Sequence, residues 1–194
     1  MRSIFLSASI PNPTRHPRYY ETMDVIAIRD SVRALATVAL PSACLFWGGH
    51  PSITPLIRVV AESVGITGGP HVRLFQSAWF SDVLPDDNAA FEEYALTEKG
   101  ATLDESISVM RRHMLGSAPF DAAVFIGGME GIEVEFDLFR EYHPNAPVFP
   151  IASTGAAAKL LYERHAEALN LPPELETSFT YPTLFRSLLA LSTS

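Results

Sequence analysis

Ala122–Phe139 reads AAVFIGGMEGIEVEFDLF, and its two halves obey different rules. Val124, Phe125 and Ile126 close a short apolar run that follows Pro119 and stops at glycine. That is the pattern of a strand buried on both faces of a parallel sheet. Gly127, Gly128 and Gly131 interrupt it, and beyond them apolar residues fall at 132, 134, 136, 138 and 139 among Glu130, Glu133, Glu135, Asp137 and Glu141. Positions 132–138 taken alone alternate like a strand. The acidic cluster behind the glycines and the adjacent Leu138–Phe139 favour a helix with a carboxylate-rich first turn, as the helix dipole prefers. A buried strand, a glycine turn and a helix start put backbone N–H groups where an anionic ligand can sit.

The same succession recurs on both sides of this stretch. Ser3–Ser9 (SIFLSAS) is a short strand ending in small residues, followed by a 10–20 loop whose Pro11, Pro13 and Pro17 forbid a regular helix. Met23–Ala39 has helical spacing. Ala43–Trp47 (ACLFW) is a second buried strand that runs into Gly48, Gly49 and His50, with Ser52 or Thr54 available to cap the next helix. Gly65, Gly68 and Gly69 end that helix, and Val72–Phe75 opens a third strand. Residues 77–101 are rich in turn formers, with Phe91, Tyr94 and Leu96 at the spacing of a short helix. Thr102 and Glu105 form a capping box for a helix to about Leu115. On the far side, Val148–Ile151 is a strand ending at Ser153, Thr154 and Gly155, followed by a helix over 156–169 and a last one over Leu184–Leu191.

Strands alternating with helices predict a single α/β domain, residues 1–194, with a doubly wound parallel five-stranded sheet and helices on both faces. Ligands of such sheets bind beyond the carboxyl ends of the strands. The turns expected to gather there are Ser7–Ser9, Gly48–His50, Gly127–Gly131 and Ser153–Gly155.

Composition narrows the partners. The 194 residues carry a net charge of −8, and 14 scattered Lys and Arg assemble no basic face for a nucleic acid. The single cysteine, Cys44, excludes an internal disulfide and a cysteine metal site. No apolar segment reaches membrane-spanning length. IFLSASIP is too short for a secretory leader, so the expected location is cytoplasmic. His113, His143 and His165 share no metal-site spacing with carboxylates, and no metal or required cofactor is expected.

FLSAS (Phe5–Ser9), FWGGHPSITPLI (Phe46–Ile57) and GGMEGIEVE (Gly127–Glu135) together resemble the SLOG superfamily. These are Rossmann-like nucleotide-binding proteins that include the LOG-type phosphoribohydrolases. LOG enzymes place a proline before their paired glycines and a Gly-Thr after one further residue. Here Ile126 replaces the proline, the third glycine comes one residue late and Ile132 stands at the threonine. Those departures point to a divergent branch. The resemblance implies strand order 3-2-1-4-5 and a small-molecule nucleotide, of NAD or ADP-ribose type, bound or sensed at the strand tips. The alternative it implies is cleavage or exchange of an N-glycosidic bond, as in phosphoribohydrolases and deoxyribosyltransferases. A homo-oligomer is compatible with either.

The candidate ligand-binding residues are then Ser7, Ser9, Gly48, Gly49, His50, Gly127, Gly128, Met129, Glu130, Gly131, Ser153, Thr154 and Gly155. Glu135, about one turn into the helix, is the first candidate to hold a ribose hydroxyl or polarise water at a glycosidic bond, with Glu133 second. Each has a plain counterpart: glycines that serve only their turns, a Ser153 and Thr154 that cap a helix, and carboxylates that are merely solvated. Arg15, His16 and Arg18 on the 10–20 loop are placed to cover the site or to decorate the surface.

Overall fold

The computed structural model describes residues 1–66, 69–91 and 94–190. Gly68 and Leu191, expected at helix ends, lie outside them. The described strands are β1 (Arg2–Ser9), β2 (Ala43–Trp47), β3 (Val72–Ser77), β4 (Tyr94–Thr97), β5 (Ala122–Gly127) and β6 (Val148–Ile151). All pair in parallel, in the order β4-β3-β2-β1-β5-β6. The sheet therefore has six strands, a correction to the expected five in the order 3-2-1-4-5. The added strand is Tyr94–Thr97, where a short helix was expected. It lies at the sheet edge with Tyr94 and Leu96 exposed, so it carries neither the continuous apolar run nor the buried alternation by which the other strands announce themselves.

The helices are α1 (Pro17–Tyr20), α2 (Val25–Ala39), α3 (Thr54–Ser63), α4 (Leu103–Gly116), α5 (Glu130–Tyr142), α6 (Ala156–Leu169), α7 (Glu174–Thr177) and α8 (Tyr181–Leu189). None is long and apolar enough to cross a membrane among the described residues. Alternate residues of the strands other than β4 feed two cores. Ile4, Leu6, Leu45, Val124 and Ile126 pack on one face under α2, α3 and α8. Phe5, Phe46, Phe75 and Phe125 pack on the other under α4, α5 and α6. That two-sided burial is why the strands read as unbroken apolar runs.

Local sequence explains the helix boundaries. Asp24 caps α2 by accepting the Ala27 N–H at 2.9 Å. Thr102 and Glu105 form the expected capping box at α4. In α5 the strand-like alternation loses to the helical face, with Ile132, Phe136 and Phe139 buried and Val134 left exposed. Neither Ser52 nor Thr54 caps α3. Ser52 is engaged with His50, and the Thr54 hydroxyl donates to the His50 carbonyl at 3.2 Å and accepts from Trp47 Nε1 at 3.2 Å. The 10–20 loop holds one turn of helix after all, because Pro17 sits at its first position, where no N–H is needed.

Winding runs from β1 outward through β2, β3 and β4, then returns to β5 on the other side of β1. The reversal lies between β1 and β5, whose register runs from Ile4 opposite Ala122 to Ser9 opposite Gly127.

Candidate functional site

A cavity of about 520 Å³ opens at the carboxyl ends of β1, β2 and β3, bounded by α4 and the start of α5. Ser7 and Ser9 line it from β1, Gly48, Gly49 and His50 from the end of β2, and Met129, Glu130, Gly131 and Glu135 from α5. Nine of the residues expected from the sequence thus share one wall system. Gly127, Gly128, Glu133, Ser153, Thr154 and Gly155 do not line it.

The last three are occupied within the protein. Thr154 Oγ1 accepts the Gly127 N–H at 2.9 Å and donates to the Ile151 carbonyl at 2.6 Å, while Ser153 Oγ pairs with the Tyr181 hydroxyl at 3.1 Å. Gly155 lies against Thr22: a Cβ there would come 1.8 Å from the Thr22 carbonyl oxygen. The turn after β6 is therefore a junction with the segment leading into α2, not a wall of the cleft. Topology alone gathers all strand tips on one side, but it does not say which of them a neighbouring loop will fill.

Two glycines need their freedom for the turns themselves. Gly49 has φ +65, and a Cβ on it would lie 2.0 Å from Gln76 Nε2; Gly128 has φ +82, and its Cβ would lie 1.9 Å from Ile132 Cδ1. Both clashes are with protein rather than with the cavity, so a methyl group at either position acts first on the fold.

Glu135 is the best-defined polar group of the cleft. Ser7 Oγ donates to its Oε2 at 2.5 Å, and Arg111 Nε donates to its Oε1 at 2.9 Å. Arg111 also reaches the Gly131 carbonyl through Nη2 at 3.3 Å. Both charged side chains are mostly shielded, 15% and 17% exposed, so the pair is fixed in direction. Arg111 was not singled out in the sequence, where it lies in the run MRRH of a helix; only its place on α4 opposite α5 reveals it.

His50 is tied down by its neighbour. Its Nδ1 accepts the Ser52 backbone N–H at 3.2 Å and lies 2.8 Å from the Ser52 hydroxyl. Burial, aided by the positive charge of Arg15, lowers its pKa below the usual 6.5. The ring is therefore neutral at pH 7, and with Nδ1 accepting, Nε2 carries the proton as a donor. Arg15 lines the cleft and makes no ion pair among the described residues. The start of α5 has no side-chain cap; the Ile132 N–H is taken by the Met129 carbonyl at 3.0 Å, which leaves those of Glu130 and Gly131 at the cleft. Much of the remaining lining is apolar: Phe80, Val83 and Leu84 after β3 and Leu103, Ile107 and Met110 on α4.

Glu133 faces elsewhere. It receives hydrogen bonds from Arg18 at 2.8 Å, from Arg164 at 3.0 Å and from the Tyr19 hydroxyl, joining α1 and α6 to α5. Tyr19 is fully buried, and desolvation with the Glu133 contact pushes its pKa up to about 12. Among the described residues no three His, Cys, Asp or Glu gather in a way that could hold a metal ion.

This arrangement has a family. The family model described as SLOG cluster3 matches residues 18–189. The chain belongs to the SLOG cluster3 family. Two solved structures are similar to this SLOG chain over most of its length. One is TM1055, with a TM-score of 0.52, 16% identity, and coverage of 84% of this chain and 81% of that one. The other is the molybdenum cofactor carrier protein of Chlamydomonas reinhardtii, with a TM-score of 0.54, 15% identity, and coverage of 97% and 98%. At those identities the likeness is one of fold, the Rossmann-type sheet of SLOG and LOG proteins. No protein of curated function matches the sequence.

Proposed function

We propose that the cleft binds a nucleotide of NAD or ADP-ribose type and that the protein acts as its binder or sensor. The observation that carries this reading is the Glu135 carboxylate, fixed by Ser7 and Arg111 in a cavity whose lining is otherwise largely apolar. A carboxylate held in one direction, with lone pairs to spare, suits the vicinal hydroxyls of a ribose, as acidic residues do in dinucleotide sites. The apolar wall of Phe80, Leu84, Ile107 and Met110 suits the faces of a base. Arg15, the His50 Nε2–H and the uncapped start of α5 suit a phosphate.

A second reading follows from the same carboxylate. Placed beside an anomeric carbon, Glu135 would stabilise an oxocarbenium-like state, and the protein would cleave or exchange an N-glycosidic bond. The carrier protein of similar fold is named for molybdenum cofactor; this cofactor is the natural control ligand here, since the two chains share only 15% identity.

Both readings are tested by one screen. AMP, NAD and ADP-ribose are added to the folded protein, its melting temperature is followed, and the mixture is chromatographed for released base. Binding to the folded state alone stabilises it by about 2.7 kcal/mol at a ligand concentration a hundredfold above Kd. Stabilisation without released base is the expected result. Release of base moves the protein to the second reading, and no shift with any nucleotide removes both.

A further inference from the structure

We infer that the cleft selects a nucleobase carrying an exocyclic amino group, and that Gln76 reads it. This rests on the nucleotide reading above and narrows its ligand class.

Gln76 is the penultimate residue of β3, only 4% exposed, and lines the cavity. Its Nε2 donates to the Gly49 carbonyl at 2.9 Å. A backbone carbonyl only accepts, so the amide nitrogen must face Gly49 and the amide oxygen must face away. Gln76 Oε1 receives no hydrogen bond from the protein among the described residues. It is also absent from the sealed polar atoms left without partners, which are Ser31 Oγ, His71 Nδ1 and the two amide atoms of Asn88. The lone pairs of Oε1 therefore open on the cavity. The amide packs directly over Gly49, 2.0 Å from where a Cβ would stand, and its hydrogen bond to the Gly49 carbonyl sets the direction of Oε1.

A shielded acceptor in a fixed direction, with no protein donor, is matched by an N–H brought in by a ligand. The surroundings specify which kind. Met110 and Ile107 from α4 and Phe80 beyond β3 give flat apolar surface, and an amino group on an aromatic base combines planar faces with an edge donor. Glutamine and asparagine amides read the amino edge of adenine in the same donor and acceptor terms. A site built to accept such a hydrogen bond rejects the analogue that lacks it, because its own polar group is then left buried and unpaired.

The test is calorimetric titration with nucleotide pairs that differ only by one amino group. These are AMP against purine riboside 5′-monophosphate, GMP against IMP, and CMP against pyrimidin-2-one riboside 5′-monophosphate. The amino member of the preferred pair should bind at least about tenfold tighter, which is about 1.4 kcal/mol. In Gln76→Met, which keeps the length and loses the amide oxygen together with its nitrogen, that gap should close. Equal affinities within every pair overturn the role of Gln76 while leaving nucleotide binding intact. A gap that survives Gln76→Met also overturns it. Where Gln76→Met does not fold, the wild-type pairs decide alone, a gap supporting the inference and equality ending it. Failure of every nucleotide to bind ends the nucleotide reading, and this inference with it.

Discussion

Glu133 and Glu135 stand two residues apart on α5, yet the two sides of the helix they occupy are built for different work. Two residues along a helix turn a side chain through roughly 200°. Glu135 therefore meets Ser7 and Arg111 at the cleft, while Glu133 meets Arg18, Tyr19 and Arg164 on the side of α1 and α6. Both carboxylates are paired with arginine and similarly shielded, 15% and 14% exposed. What separates them is the rest of each environment. The cleft leaves lone pairs of Glu135 facing open volume, whereas three donors from two other helices converge on Glu133. Pairing with arginine therefore does not distinguish the two; the unfilled space beside Glu135 does.

The strongest way to break this contrast is to remove each carboxylate in turn. Glu135→Ala should weaken the best nucleotide of the screen at least about a hundredfold, roughly 2.7 kcal/mol. Its stability should stay within about 1 kcal/mol of wild type, since cavity water can take over the Ser7 and Arg111 donors. Titration calorimetry and thermal unfolding read the two quantities. A large loss of stability with unchanged affinity would reverse the roles assigned to the two sides.

Glu133→Ala should do the opposite. The buried Tyr19 hydroxyl loses its acceptor, while the half-exposed Arg18 and Arg164 return to water, for a loss of about 2 kcal/mol of folding stability. Nucleotide affinity should remain within about threefold of wild type. A tenfold loss would mean that the α1 side reaches into the cleft through Arg15.

The smallest effect sharpens the comparison by pH. Tyr19 has its folded-state pKa raised to about 12, above the unfolded value of about 10. Its contribution is complete below pH 10 and is lost as pH rises through 12. The loss should be on the order of 1 kcal/mol; the value of about 12 already includes the help that Arg18 gives the phenolate. Melting temperatures of wild type and Tyr19→Phe should converge across that range. Parallel curves would mean that the tyrosine proton plays no part in holding α1.

Much of this was legible in the residues. The buried strands announced themselves as apolar runs bounded by glycine or proline, and α5 survived its strand-like alternation because Leu138 and Phe139 break it. A cavity does open at the strand tips where a ligand was expected, and Glu135, picked by its distance from the glycines, lines it. What stayed hidden depends on contacts distant in sequence. Arg111 shares a helix with Arg112 and His113, and nothing local says which of them turns inward. Gln76 stands next to last in a strand, in a stretch with no motif, and its orientation is set by a carbonyl 27 residues away. The edge strand Tyr94–Thr97 is too short and too exposed to carry an apolar signature. The turn at Ser153–Gly155 looked like its counterparts because the loop that fills it, around Thr22, comes from more than a hundred residues earlier.

The hydrogen bond from Ser7 to Glu135 spans 128 positions of chain, and the β1–β5 pairing beneath it is nearly as distant. Loop-closure entropy must be met before contacts of that kind repay it, so they form late on the folding path. An assembly of β1, β2 and β3 alone would have one side of β1 bare and Ser7 without its acceptor. Binding competence should therefore appear in the same kinetic phase as docking of β5, with no earlier species able to hold the ligand.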